Sequence, residues 1–225
     1  MDAMGHRAGD REGTDMDAGP PAWDSCLLDK DTFLQNFDQK NWEKKTYLCY
    51  EVELPEGASG VPPGQLKGIL HNEPAQGEQQ RGCHSEMCLL ELIQSWELGS
   101  ELPYKVTCFL SWSPCATCAD QLAQFLVKNK HVTLRLFASR LYTKERYEDW
   151  LRVQKGYEDG LRTLQRHGAH IAIMTSTDFE HCWETFVDNQ GKPFEPWDTL
   201  VSQSRLLSER LKNILEKPED GRQSR

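Results

Sequence analysis

Apolar positions along the chain follow two rhythms, one typical of strands and one typical of helices. Segments rich in aromatic and β-branched residues predict five strands, at 45–54, 65–71, 104–112, 132–138 and 170–175. Apolar residues at helical spacing predict helices at about 31–37, 84–97, 115–129, 178–187 and 200–215, with a further helical region ending at 167. Strands and helices in this order are typical of an α/β sheet covered on both faces.

The composition changes at both ends of the chain. Residues 1–24 are rich in Gly, Asp, Ala and Pro and predict a disordered tail, and the charged segment 217–225 predicts a second, flexible one. One domain is therefore expected at 25–216. No apolar run approaches the ~20 residues of a membrane span, and the first residues hold no signal peptide. The sequence thus predicts no membrane partner and a cytoplasmic protein, with the nucleus as a second location.

The acidic balance limits how the chain could bind nucleic acid. Seven acids and three bases among residues 1–30 account for −4 of the net charge of −9, which leaves −5 for the rest. A protein held to DNA by phosphate contacts alone would carry a basic excess. Base stacking on aromatic side chains, worth ~1–3 kcal/mol per base, needs no net positive charge. A local basic rim is therefore expected, made of Lys40, Lys44, Lys45, Arg140, Lys144 and Arg146.

The first candidate functional residues lie in the segment GCHSEM, where His84 and Glu86 are two residues apart. On a helix such positions point about 200° apart and do not share a face. The two side chains can converge on one pocket only if they stand at the first turn of the predicted helix. This spacing alone leaves their role open.

A second motif, SPCATC, places Cys115 and Cys118 where a buried strand is expected to turn into a helix. Thiolates at a helix N-terminus are stabilised by free backbone N–H groups and by the helix dipole. A redox or merely buried pair is the alternative, but no thioredoxin-like context precedes it. Together with His84 the two cysteines make three ligands, the number typical of a catalytic zinc site with one open position.

Glu86 then stands beside the Zn²⁺ ligands as a carrier of protons. The order H-x-E followed by P-C-x-x-C is the pattern of zinc-dependent base deaminases, which hydrolyse the amino group of cytosine or adenine. In that chemistry zinc lowers the pKa of water to about 7, and the glutamate moves protons. The sequence therefore predicts Glu86 as the catalytic residue.

Longer segments carry a specific resemblance. They are TYLCYEVE (46–53), HSE (84–86), SWSPCATCA (111–119), FASRLY (137–142), IAIMTSTDFEHCWETFV (171–187) and PFEPWDTL (193–200). The chain resembles the APOBEC family of polynucleotide cytidine deaminases, most closely its third, antiretroviral DNA-deaminase branch. The resemblance implies a cytidine-deaminase-like fold, a five-stranded mixed sheet flanked by about six helices. It also implies deamination of cytosine in single-stranded DNA and restriction of retroviruses and retroelements. RNA is a further candidate partner, and the sequence leaves open whether the protein is a homo-oligomer.

The resemblance also implies residues of a base pocket. Trp112 and Ser113 match residues that pack on the flipped base and donate or accept hydrogen bonds with it in the family. Tyr142 matches a tyrosine that stacks on this base, and Thr46 matches a threonine that lines the same pocket. As alternatives, Trp112 reads as an aromatic core residue and Tyr142 as a loop residue. One departure lies in the motif itself, where Ser85 stands in place of the family's usual alanine.

Two further positions are implied to hold the DNA strand. Asn72 matches an asparagine that touches the target sugar, and Lys44 lies where some relatives carry a DNA-clamping histidine. Arg140 is a further candidate for binding the substrate, because it belongs to the expected basic rim. A turn-forming role for Asn72 and a strand-edge lysine at 44 are the alternatives.

Two other functions stay open on sequence grounds. A catalytically silent RNA- or DNA-binding domain could keep the zinc site for structure, and a free-nucleoside deaminase would share the zinc chemistry without the aromatic residues.

The chain also contains a near-repeat, YEDWLR at 147–152 and YEDGLR at 157–162. This segment either lengthens a surface helix or alters selection of the nucleotide before the target cytosine.

Overall fold

A five-stranded mixed sheet forms the centre of the protein. The structure, a computed structural model, describes residues 27–41, 43, 45–58, 60–72, 83–142 and 150–217, and within the last range it describes side chains from residue 156 onward. The predicted tails lie outside these residues, apart from Lys217. No helix in the described ranges has the length and apolar character to cross a membrane.

The described residues form seven strands and six helices. The strands are β1 (Leu28–Asp29), β2 (Tyr47–Glu53), β3 (Lys67–His71), β4 (Tyr104–Leu110), β5 (Val132–Ala138), β6 (His170–Ile173) and β7 (Val187–Asp188). The helices are α1 (Lys30–Phe37), α2 (Ser85–Ser95), α3 (Ala116–Lys128), α4 (Trp150–Arg166), α5 (Ser176–Phe186) and α6 (Leu200–Glu216). The five predicted strands and six predicted helices are all present, with boundaries that shift by a few residues.

The strand order β3-β2-β4-β5-β6 brings several strand ends to one edge of the sheet. β2 runs antiparallel to β3 and β4, whereas β4, β5 and β6 run parallel. The start of β2 therefore lies beside the carboxyl ends of β3 and β4, with Tyr47 opposite His71 and Leu48 opposite Leu110. Leu110 in turn lies opposite Ala138 at the end of β5. The segments that contain Thr46, Asn72, Trp112 and Tyr142 all emerge at this edge.

Both faces of the sheet are covered, as predicted. Alternate residues of β4 point to opposite sides, so Val106 and Cys108 join one hydrophobic cluster and Phe109 joins another. The larger cluster includes α2, α3, α4 and most of α6, and the smaller one includes α1 and α5. The elements that carry the candidate metal ligands thus belong to the larger core.

Two features differ from the sequence prediction. β1 and β7 form a parallel two-residue ribbon, with Leu28 opposite Val187, that joins the segment before α1 to the end of α5. Two residues are too short a run to show strand periodicity. The strand predicted at 104–112 ends at Leu110, and Ser111 and Trp112 leave the sheet. That early end frees Trp112 to turn toward the pocket.

Candidate metal centre and pocket

The N-terminal ends of two helices bring the predicted metal ligands and the predicted catalytic residue together. His84 is the N-cap residue of α2 in an extended conformation, and Cys115 is the N-cap residue of α3. Cys118 lies in the first turn of α3 and Glu86 in the first turn of α2. Because His84 precedes the helix, the 200° separation of helical neighbours does not apply to it, and both His84 and Glu86 reach the same pocket.

The ligand atoms of His84, Cys115 and Cys118 all lie within 4.8 Å of one another. His84 Nδ1 is 3.3 Å from Cys118 Sγ and 3.6 Å from Cys115 Sγ. Tetrahedral zinc, with Zn–S bonds of about 2.3 Å and Zn–N bonds of about 2.0–2.1 Å, places such N and S atoms about 3.6 Å apart. The spacing and chemistry of these donors therefore fit a zinc ion, with the Nδ1 atom of His84 as its nitrogen ligand.

The two sulfur atoms differ in acidity. The hydrogen bond from the Cys118 thiol lowers the pKa of Cys115 to about 5, helped by a backbone N–H and by His84, while burial opposes the shift. The same hydrogen bond, together with burial, raises the pKa of Cys118. Cys115 is thus the thiol that ionises first, and the thiolate is the form that binds metal.

Glu86 lies beside these ligands in a buried position, with 6% of its surface exposed. Burial raises the pKa of its carboxyl group above the usual value, and a hydrogen bond from the Ser85 side chain opposes this rise. The distance from Ser85 Oγ to Glu86 Oε2 is 3.2 Å. The family departure at Ser85 therefore touches the predicted catalytic carboxylate directly.

A pocket of about 170 Å³ opens next to this group. Five residues predicted to bind substrate line it, together with three of the four residues predicted for the metal and proton chemistry. The lining residues are Thr46, Asn72, His84, Glu86, Trp112, Ser113, Cys115 and Tyr142. The structure thus brings together residues from five separate segments of the chain.

Hydrogen bonds and ring contacts hold the mouth of this pocket. Thr46 N donates to Asn72 Oδ1 at 2.7 Å, and Asn72 N donates to Thr46 O at 3.1 Å, so Asn72 closes the end of the β2–β3 pair. The Trp112 ring meets the Tyr142 ring edge-on, with centroids 6.5 Å apart. Trp112 Nε1 donates to the Glu43 carbonyl oxygen at 3.2 Å.

The expectation of an exposed rim position is wrong for Arg140. Its side chain is 3% exposed and lies behind Trp112, with the guanidinium carbon 4.3 Å from the centre of the Trp112 ring. It donates to four backbone carbonyl groups, those of Asn36, Asp38, Asn41 and Ser111. Burial lowers the pKa of Arg140 to about 10. Lys44, which was also predicted to contact the DNA strand, lies outside the described residues.

Two contacts at the site were not predicted from sequence. Tyr157 of α4 places its hydroxyl oxygen 2.7 Å from Ser113 Oγ, although 44 positions separate the two residues. Cys83, next to His84, places its sulfur 3.0 Å from that of Cys88. Tyr157 belongs to the second copy of the near-repeat, but a local sequence pattern contains no information on a partner so distant in the chain.

Comparisons with known proteins agree with this geometry. A family model described as APOBEC3, cytosine deaminase domain, matches residues 26–215. The DNA dC->dU-editing enzyme APOBEC-3G of Erythrocebus patas is 45% identical over 194 residues, which cover 84% of this chain and 48% of the relative. The enzyme of the same name from Chlorocebus aethiops is 46% identical over 192 residues, with the same coverage. The DNA dC->dU-editing enzyme APOBEC-3H of Felis catus is 36% identical over 174 residues, 77% of this chain and 80% of the relative.

The chain spans about half the length of the APOBEC-3G relatives that it matches and most of the length of the APOBEC-3H relative. The matched region contains every strand of the five-stranded sheet and all the residues that line the pocket. With the family match extending from residue 26 to residue 215, the chain belongs to the APOBEC3 cytosine deaminase domain family.

Proposed function

We propose that this protein is a zinc-dependent deaminase that converts cytosine to uracil in single-stranded DNA. One observation carries the proposal: a buried carboxyl group, Glu86, lines the same pocket as a zinc-compatible ligand group and two aromatic side chains. The relatives' printed names, which describe DNA dC->dU-editing enzymes, support cytosine as the base and DNA as the polymer.

His84, Cys115 and Cys118 would hold the Zn²⁺ ion. When bound, zinc supplies Lewis acidity that makes a water-derived nucleophile available at neutral pH. Cys115 and Cys118 lie at the N-terminus of α3, and His84 lies at the N-terminus of α2. The positive end of the helix dipole therefore stabilises the negative charge of the thiolate sulfurs.

Glu86 is the group that moves protons in the proposed reaction. A general base works best when its pKa lies near the operating pH, and burial moves the pKa of Glu86 upward in that direction. The carboxylate takes one proton from the water as its oxygen forms the C4–O bond, and it gives this proton to the ring nitrogen N3. It then takes the second proton from the new C4 hydroxyl group and gives it to the amino group, so that the C4–N bond breaks, the C4 carbonyl group forms and ammonia leaves.

Trp112 and Tyr142 are suited to holding the target base. Their rings stand edge-on to each other at the pocket. Any of the nucleic-acid bases can stack on the face of an aromatic ring. A paired base cannot reach such a pocket without leaving its stack, and this step costs least in a single strand. Stacking also explains how a chain with a net charge of −9 could bind DNA.

The biological setting is part of the same proposal. Family membership supports a role in restricting retroviruses and retroelements, with RNA as a further binding partner. Action in the cytoplasm, with access to the nucleus, is the location that we propose for it.

The test compares four substrates of the zinc-loaded protein. They are a single-stranded DNA oligonucleotide with one cytosine, the same oligonucleotide in a duplex, its RNA counterpart, and free cytidine. We expect uracil in the single-stranded DNA at a rate at least about tenfold above that in the duplex and from free cytidine. Comparable turnover of cytidine would indicate a nucleoside deaminase instead. Tight DNA binding without any uracil would indicate a silent binding domain.

A further inference from the structure

Among the side chains of α4 that the structure describes, Tyr157 lies directly behind the pocket wall. This residue is 3% exposed, and its hydroxyl oxygen lies 2.7 Å from Ser113 Oγ. Its ring centroid is 6.3 Å from that of Tyr142. Ser113 and Tyr142 both line the pocket, whereas Tyr157 is not among the lining residues. Tyr157 therefore contacts two walls of the pocket from behind.

Two hydrogen bonds meet at Ser113. A serine hydroxyl group offers one donor and two acceptor lone pairs. Ser113 Oγ accepts the backbone N–H of Tyr142 at 2.8 Å. A second hydrogen bond joins Ser113 Oγ to the Tyr157 hydroxyl oxygen, and a buried hydroxyl group without a partner is costly. Both hydroxyl groups are therefore partnered behind the pocket wall.

As a result, two different segments are hydrogen-bonded to the Ser113 hydroxyl group. The Tyr142 N–H comes from the segment after β5, and the Tyr157 hydroxyl comes from α4. Ser113, Tyr142 and Tyr157 thus form one unit that ties α4 to the pocket wall.

Gly160 lets α4 approach the pocket closely enough for Tyr157 to reach it. Gly160, one turn further along α4, packs on the first turn of α3, where a Cβ atom at 160 would lie 3.2 Å from Ala116 Cα and 3.2 Å from Ala119 Cβ. The first copy of the near-repeat, YEDWLR, has Trp150 at the position that corresponds to Gly160. The second copy, with glycine at this position, therefore fits the close contact with α3.

We propose that Tyr157 is a positioning residue that sets the shape of the base pocket through Ser113 and Tyr142. The inference rests on the proposed deaminase function. Tyr157 does not touch the reacting group, so the contacts that it supports hold the nucleotide equally in the ground state and in the transition state. Loss of such uniform binding raises KM and leaves kcat unchanged.

The experiment replaces Tyr157 with Phe, which keeps the ring and removes the hydroxyl group. Tyr104→Phe is the matched control, because Tyr104 is a buried tyrosine whose hydroxyl accepts from Gly99 N at 3.2 Å. It stands at the start of β4, about 20 Å along the strand from the pocket edge. With zinc-loaded protein and single-stranded DNA, we expect Tyr157→Phe to raise KM about five- to tenfold with kcat within twofold. Tyr104→Phe should leave both constants within twofold.

Other outcomes would overturn the inference. A KM within twofold of wild type for Tyr157→Phe would do so, as would a loss confined to kcat, since a smaller folded fraction lowers kcat alone. A double variant gives a second measure: Tyr157→Phe added to Ser113→Ala should raise KM no further than Ser113→Ala does. Independent, multiplying effects would mean that Tyr157 does not act through Ser113.

A binding measurement separates this inference from the proposed function. If the wild type binds the oligonucleotide without deaminating it, the proposed function is wrong. Tyr157→Phe should then weaken the Kd five- to tenfold, and an unchanged Kd would overturn the inference. A wild type that neither binds nor deaminates single-stranded DNA would overturn both.

Discussion

Two regions that border the same pocket are fixed in different ways. The metal corner, which comprises His84, Glu86, Cys115 and Cys118, stands on the first turns of α2 and α3. The remaining turns of both helices pack their apolar faces into the larger hydrophobic cluster. The aromatic rim, which comprises Trp112 and Tyr142, stands in the segments that follow β4 and β5.

The aromatic rim depends on individual contacts. Contacts of Trp112 include a hydrogen bond to the Glu43 carbonyl group, the Tyr142 ring and the guanidinium group of Arg140. Tyr142 is held through Ser113. Changes in the metal corner should therefore act in an all-or-none manner, because the packing of whole helices sets its geometry, whereas changes in the rim should act by degrees.

The largest effect is expected from loss of a metal ligand. His84→Ala or Cys115→Ala should remove zinc and all deaminase activity, and should lower the free energy of unfolding by several kcal/mol, because metal binding is coupled to folding. Metal analysis and thermal unfolding measure this. Cys182→Ala is the control, since Cys182 is a buried thiol that lies in the smaller cluster and is not one of the predicted ligands. It should keep its full zinc content. Full zinc in either ligand variant would show that the ligands are assigned wrongly.

Removal of the proton carrier should affect activity alone. Glu86→Gln keeps the shape of the side chain but cannot exchange a proton, so kcat should fall by at least about a thousandfold, or ~4 kcal/mol in barrier. Zinc content and thermal stability should stay at the wild-type level. Glu91→Gln, on the exposed face of the same helix, should retain wild-type activity. Residual turnover of Glu86→Gln within tenfold of wild type would contradict the assignment.

A pair of glycines in α4 tests how tightly this helix supports the metal corner. A Cβ atom at Gly156 would have no neighbour within 4 Å, whereas one at Gly160 would press on Ala116 and Ala119. Gly156→Ala should stabilise the protein by about 0.5–1 kcal/mol through helix propensity. Gly160→Ala should lose that gain to overpacking, which leaves it less stable than Gly156→Ala by about 1–2 kcal/mol. Equal melting temperatures would show that α4 does not press on the first turn of α3.

The smallest effect is expected at Ser85. Its hydroxyl group contacts the Glu86 carboxylate at 3.2 Å without filling the pocket, so Ser85→Ala should change the deamination rate by less than about tenfold, or ~1.4 kcal/mol. Steady-state rates of the two proteins on one oligonucleotide are sufficient. A much larger gain would mean that Ser85 impairs the metal corner, and the silent binding domain would become the better reading.

The convergence of the side chains in the metal corner could be predicted from the sequence, because it depends on residues that lie close together in the chain. The two cysteines are three residues apart at a strand-to-helix transition, and His84 stands two residues before Glu86 at a helix start. Such short spacings, combined with the helical and strand periodicities around them, fix which side chains converge. The central sheet was readable for the same reason, because β4 is almost continuously apolar and lies at its middle.

The contacts behind the aromatic rim were not readable, because they join residues far apart in the chain. The sequence predicts an exposed Arg140, because charged residues in loops are usually exposed. Its burial depends on carbonyl groups about a hundred positions earlier, at the end of α1. The contact between Tyr157 and Ser113 likewise depends on how α4 packs on α3, which no local pattern specifies.

The central claim is that one zinc ion in the metal corner makes this chain a cytosine deaminase. The most direct test removes the metal with a chelator, returns Zn²⁺ in steps, and measures bound zinc and uracil formation in the same samples. Activity on single-stranded DNA should rise in proportion to bound zinc and level off at one ion per chain. Full activity in metal-free protein, or no activity at one zinc per chain, would contradict the claim.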